Sequence, residues 1–292
     1  MLIKEITDMD YAFEQDIKAV RTILGFSQEE LASQLGTSRI TIARNERGIT
    51  EASAALLEQM YNYAFDKGIR LGKIKEMLCK ENLKAGHKLL FHGAKSSLTG
   101  PIDVHAGRQN NDFGQGFYTG ESYDQSLSFV SGFGYSSVYM LDLDKNDLTK
   151  NRYAVDQDWM LTIAYHRGTL ENYHDHPIVK KLVEKSRSSD YIIAPIADNR
   201  MFQIINSFID GEITDEQCKH CLAATNLGFQ YVLLTEKAVN QVQILEHCYI
   251  PEKEKEHYLN LKTADARLGD DKVKLARRTY RGQGSYIDEI LN

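Results

Sequence analysis

Two short segments constrain this chain most: Leu89-Leu90-Phe91-His92-Gly93-Ala94, and Gly114-Gln115-Gly116-Phe117-Tyr118-Thr119-Gly120. The first is an apolar run ending in His-Gly, which reads as a buried strand delivering an imidazole at its end. In the second, glycines let the backbone approach a ligand closely, and Phe117-Tyr118 between them supplies a flat aromatic face. Either segment alone is compatible with a glycine-flanked hairpin, a core tyrosine and a satisfied strand-end histidine.

Taken in order, the two segments resemble the NAD-binding signature of the ADP-ribosyltransferase superfamily. The resemblance implies that His92 holds a ribose hydroxyl and that the backbone of Gly93 and Ala94 grips the nicotinamide amide. It implies further that Gly116, Phe117 and Tyr118 form the ring site, with Tyr118 stacked on the nicotinamide. Ser126 falls where the poly(ADP-ribose) polymerase branch has a serine for the carboxamide, and Phe129 where it has a second stacking aromatic. Gln230-Tyr231-Val232-Leu233-Leu234 is an apolar strand that the resemblance places where those polymerases carry a catalytic glutamate. The implied triad is His92, Tyr118 and Gln230, and the likeness, to a bacterial branch of the superfamily, runs from about Lys88 to Leu245.

Glutamine in that position changes the chemistry. Breaking the nicotinamide glycosidic bond develops oxocarbenium charge on the ribose, which a nearby carboxylate stabilises. An amide can hydrogen-bond ribose hydroxyls, but it brings no charge and cannot deprotonate an acceptor. Either another carboxylate enters the site or the acceptor is intrinsically nucleophilic. Asp198, in Ala-Asp-Asn-Arg after a strand, is the first candidate, although a surface ion pair with Arg200 is an equal reading. Asp112, beside the tyrosine loop, is the second, while Glu236 reads as the cap of the following helix.

The amino-terminal segment is a different module. Ser27-Gln28-Glu29-Glu30 is a capping box, Gly36 makes a turn, Thr37 or Ser38 caps the next helix, and Gly48 ends it. Ile17, Val20, Ile23 and Leu24 give the preceding helix its apolar stripe, and Leu56, Leu57, Met60 and Tyr61 the following one. The pattern Ser27 to Gly36 and Ser38 to Gly48 resembles phage-repressor-like helix-turn-helix domains. By that register Gln28 touches phosphate, while Arg39, Ile40 and Arg44 face base edges in the major groove. Residues 1–70 carry eight Lys/Arg against eleven Asp/Glu, so the basic footprint is local to Arg39, Arg44 and Arg47. Asn45 stands where such domains pack a large apolar residue.

With 292 residues the chain has length for two domains, and its net charge of -6 argues against a protein that coats nucleic acid globally. No signal-like start and no membrane-length apolar stretch are evident, so the expectation is a cytoplasmic protein with no membrane partner. Four cysteines make no disulfide framework. Cys218-Lys219-His220-Cys221 invites a zinc reading, but a helix from Thr214 to Thr225, opened by a Thr214–Gln217 capping box, puts both thiols on one face, so buried thiols and no metal are expected. His166, His174 and His176 read as loop or surface histidines. Lys272, Lys274, Arg277, Arg278 and Arg281 form a basic run on a terminal helix, a solvated face or, with Tyr280 and Tyr286, a phosphate or base contact.

The expectation is an α+β chain: a helix-turn-helix domain (1–68), a connecting helix (69–86), an ADP-ribosyltransferase-like domain on a split antiparallel β-sheet (87–250), and a helical basic extension (251–292). The implied reaction is single transfer of ADP-ribose from NAD, as substrate, to a protein or nucleic-acid acceptor. DNA and a second copy of the chain are further expected partners, in bacterial regulation, toxin action or phage defence. The rival readings are an NAD-sensing transcriptional regulator without chemistry and an NAD glycohydrolase.

Overall fold

A computed structural model describes residues 11–224 and 227–292. Helices α1 (Phe13–Ile23), α2 (Gln28–Gln34), α3 (Arg39–Asn45), α4 (Ala54–Asp66) and α5 (Leu71–Glu81) come first. Then follow β1 (His87–Ala94), β2 (Phe117–Gly120), α6 (Tyr123–Val130), β3 (Ser137–Asp144), β4 (Lys150–Arg152), α7 (Gln157–His166) and α8 (Pro177–Arg187). The chain continues through β5 (Tyr191–Pro195), α9 (Asn199–Ile209), α10 (Asp215–Ala223), β6 (Phe229–Leu233), α11 (Glu236–Val239), β7 (Val242–Tyr249), α12 (Glu252–Thr279) and α13 (Ile287–Ile290). This is the mixed α+β composition the sequence implies. No helix among the described residues is long and apolar enough to cross a membrane.

The chain forms two compact units. Unit one gathers the residues up to Pro101 with Ser122–Asp142 and Gln243–Leu261. Its helix-turn-helix forms as the capping chemistry dictates: Ser27 and Glu30 satisfy each other's backbone amides, and Ser38 accepts from Thr41 N. Gly36 and Gly48 adopt the left-handed conformation that ends α2 and α3. Ile17, Val20, Leu31, Ile42 and Met60 are fully buried between the helices. In the same unit β1, β3 and β7 neighbour one another in that order, and Leu89 and Phe91 pack with Leu127 and Val130 of α6.

Within unit one, charged side chains tie the helices to strand β7. Lys75 of α5 pairs with Asp16 of α1 at 2.9 Å and with Glu246 of β7 at 3.0 Å, and Tyr61 donates to Asp16 at 2.6 Å. Tyr249 at the end of β7 donates to Glu58 of α4. A buried cation between two carboxylates cannot be exposed cheaply, so these elements hold as one body.

Unit two comprises Ile102–Glu121, Leu143–Val242 and Lys262–Asn292. Its strands run β4-β5-β6-β2, with β6 antiparallel to both neighbours. The expected antiparallel pattern does not hold throughout: β4 pairs parallel with β5, since α7 and α8 cross over between them. Trp159, Ile163, Ile205 and Phe208 cover one strand face together with Cys218 and Cys221, both buried on α10. That helix starts with the expected Thr214–Gln217 capping box and ends at Ala223; Thr225 lies outside the described residues. The basic run falls on α12 and just past it, where Arg277 approaches Glu212 at 3.7 Å.

Candidate functional site

In unit one, Gly93 and Ser126 come together while His92 turns away from them. Side chains alternate along β1, so Leu89, Phe91 and Gly93 face α6 and His92 lies on the other face. A Cβ on Gly93 would stand 2.6 Å from Ser126 O and 2.9 Å from Val130 Cγ1, so only glycine allows this approach of strand and helix. Ser126 is buried and donates to Phe91 O at 3.0 Å. A hydroxyl whose proton is so committed can only accept further bonds, for example from a carboxamide NH2. Ala94 is buried, and Phe129, near the end of α6, is partly exposed.

Unit two carries the other half of the expected residues. Gly120 pairs with Gln230 and Tyr118 with Val232, so Tyr118 and Gln230 share one face of the β2–β6 pair. Gly116 lies against β6, where a Cβ would meet Leu233 O at 2.9 Å, and Phe117 is buried on the opposite face from Tyr118. The Tyr118 hydroxyl accepts from Phe113 N at 3.0 Å and donates to Gly114 O at 2.8 Å, so its oxygen is committed within its own loop. Burial pushes its pKa far above the ordinary phenol value.

Gln230 is buried and donates to Asp112 Oδ2 at 2.7 Å and to Pro195 O at 3.1 Å. Asp112 is itself buried, accepts from Arg167 Nε at 2.9 Å and Ala197 N at 3.2 Å, and ion-pairs with Arg167 Nη2. Burial raises the Asp112 pKa above the usual carboxylate range despite Arg167, Gln230 and the Ala197 amide, all of which lower it. Arg167 also lies 4.6 Å from the Phe202 ring centroid. The arrangement is an amide backed by a carboxylate that is backed by a guanidinium.

The two carboxylate candidates therefore exchange places. Asp198 is the N-cap of α9, accepting from Met201 N at 2.8 Å, and is only half-buried. Asp112 is the one that meets Gln230. Two smaller corrections follow from caps and burial. Thr235, not Glu236, caps α11. His166 is neither a loop nor a surface histidine: it ends α7, and burial, reinforced by Arg187, pushes its pKa down to about 4. Arg167 was missed altogether; a basic residue just past α7 carries no signal without its long-range partner.

The helix-turn-helix surface presents Arg39, Ile40, Arg44 and Arg47, all exposed on or just after α3. Gln28, expected on phosphate, donates its amide to Glu46 at 2.8 Å, because Glu46 is already held by Arg21. Asn45 is buried and donates to Thr41 O, while its Oδ1 has no hydrogen-bond partner among the described residues.

A model described as "Helix-turn-helix" matches residues 17–61, which identifies α1 to α4 as a DNA-binding type of module. A second family model, described as "Protein of unknown function (DUF3990)", matches residues 89–244, more than half of the chain. The chain belongs to the DUF3990 family. The DUF3990 match begins in β1 and ends in β7, so it includes His92, Tyr118, Ser126, Asp112 and Gln230. No curated protein and no solved structure matches the chain.

Proposed function

We propose that this DUF3990 chain transfers ADP-ribose from NAD to an acceptor, with release of nicotinamide, and that its helix-turn-helix delivers it to DNA. The observation that carries this reading is the buried Asp112 behind Gln230. Both amide hydrogens of Gln230 are donated, one of them to a carboxylate, which polarises the amide so that Oε1 gains negative character. An oxygen so polarised suits ribose hydroxyls beside a developing oxocarbenium charge, and the low-polarity surroundings strengthen it. Asp112 thus supplies through an amide the charge that a glutamate would supply directly. It does not act as a base on the acceptor, since Gln230 and Arg167 occupy its oxygens.

The roles of the remaining residues are those that the resemblance to ADP-ribosyltransferases implies: Gly93 and Ser126 for the carboxamide, Tyr118 and Phe129 for the nicotinamide ring, and His92 for a ribose hydroxyl. In the reaction the bond from ribose C1″ to the pyridinium nitrogen breaks, nicotinamide leaves with the electron pair, and the acceptor nucleophile bonds to C1″. The test is incubation of the full chain with labelled NAD and a cell lysate, beside His92→Ala and Gln230→Ala, following free nicotinamide and label in protein and nucleic-acid fractions. Label lost with His92→Ala supports transfer; absence of nicotinamide release under all conditions removes it and leaves an NAD-sensing regulator.

A further inference from the structure

Unit two contains a cavity of about 630 Å3, within the range of about 300–1,000 Å3 usual for small-molecule sites. One wall is Phe113-Gly114, the pair of residues whose backbone holds the Tyr118 hydroxyl. No carboxylate lines it, and Arg187, in the last turn of α8, is its single formal cation. Arg187 is exposed and makes no ion pair among the described residues, so a bound anion would meet an uncompensated guanidinium.

The neutral part of the lining is as informative. Ser186 donates its hydroxyl to Val183 O at 2.8 Å, so the contact of 3.0 Å between His166 Nε2 and Ser186 Oγ has the imidazole as donor. That fixes the tautomer and leaves His166 Nδ1 as an acceptor. With its pKa near 4 the ring is neutral at pH 7, so it does not add to the positive charge. Gln109 and Asn110 offer amides that both donate and accept, and Phe113 and Tyr165 offer rings. Flat faces, amide edges, the His166 acceptor nitrogen, a second imidazole on His105 and one arginine match a nucleobase joined to a phosphate better than a sugar, a peptide or a bare anion.

We infer that this cavity takes a phosphorylated nucleoside, its base against Phe113 and Tyr165, its base edge on Asn110 and His166, and its phosphate on Arg187. The inference rests on the transfer reading in one respect: it makes the nucleotide the acceptor. A base nitrogen then bonds to ribose C1″ of NAD as nicotinamide leaves with its electron pair, and the nitrogen loses its proton to water. Such a nitrogen is nucleophilic without a general base, which suits a site with glutamine in place of glutamate. A free nucleotide and a nucleotide of a single strand present the same chemistry.

The test uses the full chain carrying Arg39→Ala and Arg44→Ala, so that the helix-turn-helix does not contribute. AMP, GMP, CMP and UMP, inorganic phosphate and a short single-stranded oligonucleotide are titrated by calorimetry. At least one mononucleotide is expected to bind, with at least tenfold loss in Arg187→Gln and in Asn110→Ala and no change in Asp198→Asn. Tighter binding of the oligonucleotide than of its mononucleotides identifies a single strand as the source; the reverse identifies a free nucleotide. Absence of binding, an unchanged Arg187→Gln, or equal affinity for inorganic phosphate overturns the assignment. Nicotinamide release with label only on protein and no nucleotide bound removes this inference and keeps transfer. Arg187-dependent nucleotide binding without nicotinamide release removes transfer, and with it the acceptor role, and keeps the pocket.

Discussion

Gln230 donates to the buried carboxylate of Asp112 at 2.7 Å, across 118 positions of sequence. The consequence is that Asp112 and Asp198, the two carboxylates nearest in character, separate cleanly by mutation. We predict that Asp112→Asn abolishes nicotinamide release and destabilises the fold by roughly 3 kcal/mol, because Arg167 is left a partly buried cation without its carboxylate. Asp198→Asn keeps an N-cap acceptor and leaves stability within about 0.5 kcal/mol and turnover unchanged. Chemical denaturation beside nicotinamide release measures both, and equal losses in the two variants would contradict the assignment.

Gly93 tests the unit-one half of the site. A methyl there meets Ser126 O at 2.6 Å, and a backbone carbonyl at that distance must move. Gly93→Ala is expected to cost roughly 1–3 kcal/mol, lowering Tm by several degrees, and to weaken NAD binding. An unchanged Tm would mean that β1 and α6 separate without penalty.

Local chemistry made much of this legible. The capping boxes at Ser27–Glu30 and Thr214–Gln217 are i,i+3 patterns, and both form as written. The apolar runs behind β1, β5 and β6 were readable because burial on both faces leaves nothing to misassign. The carboxylate was not readable, because a hydrogen bond from Gln230 to Asp112 leaves no mark on either neighbourhood. Asp198 did carry a signal, since an aspartate just before a helical run is a cap before it is a catalyst. Strand β7, with Gln243 and Glu246 among its apolar residues, hid in its polarity, and His166 looked like a loop residue because only tertiary packing buries it.

Glu46 gives the helix-turn-helix a pH dependence. Burial pushes its carboxyl up, but hydrogen bonds from Arg21 and Gln28 outweigh this and leave the pKa below the ordinary value. A depressed folded pKa stabilises above the unfolded value of about 4.3 and ceases to do so as pH falls through the folded one. We predict that Tm declines as pH is lowered from about 5, and that Glu46→Gln flattens part of the decline while lowering Tm at pH 7. Thermal melts across pH 3–7 check this; parallel curves for the two proteins would refute it.

Asn45 is a stability defect inside α3. Its Oδ1 is buried without a partner among the described residues, and the bond its amide makes to Thr41 O is to a carbonyl of the helix itself. Asn45→Leu keeps the branched outline in somewhat larger methyl groups and removes the unsatisfied acceptor, so we expect a gain of about 1 kcal/mol. A lower Tm in this variant would show that the site cannot accept the branched side chain.

The exposed Arg39 and Arg44 make the DNA-binding role of α3 testable against its acidic surroundings. If they read base edges, Arg39→Ala and Arg44→Ala each cost about 1–3 kcal/mol of specific affinity and relax preference at one base pair, because a bidentate contact to guanine is lost. Arg47, just past α3, is expected on phosphate, so Arg47→Ala weakens all sequences alike and reduces the salt dependence by about one unit of slope. Selection of a preferred duplex from a random pool, followed by salt titration of the three variants, separates the two roles. Uniform weakening by all three would leave this module as a nonspecific electrostatic anchor.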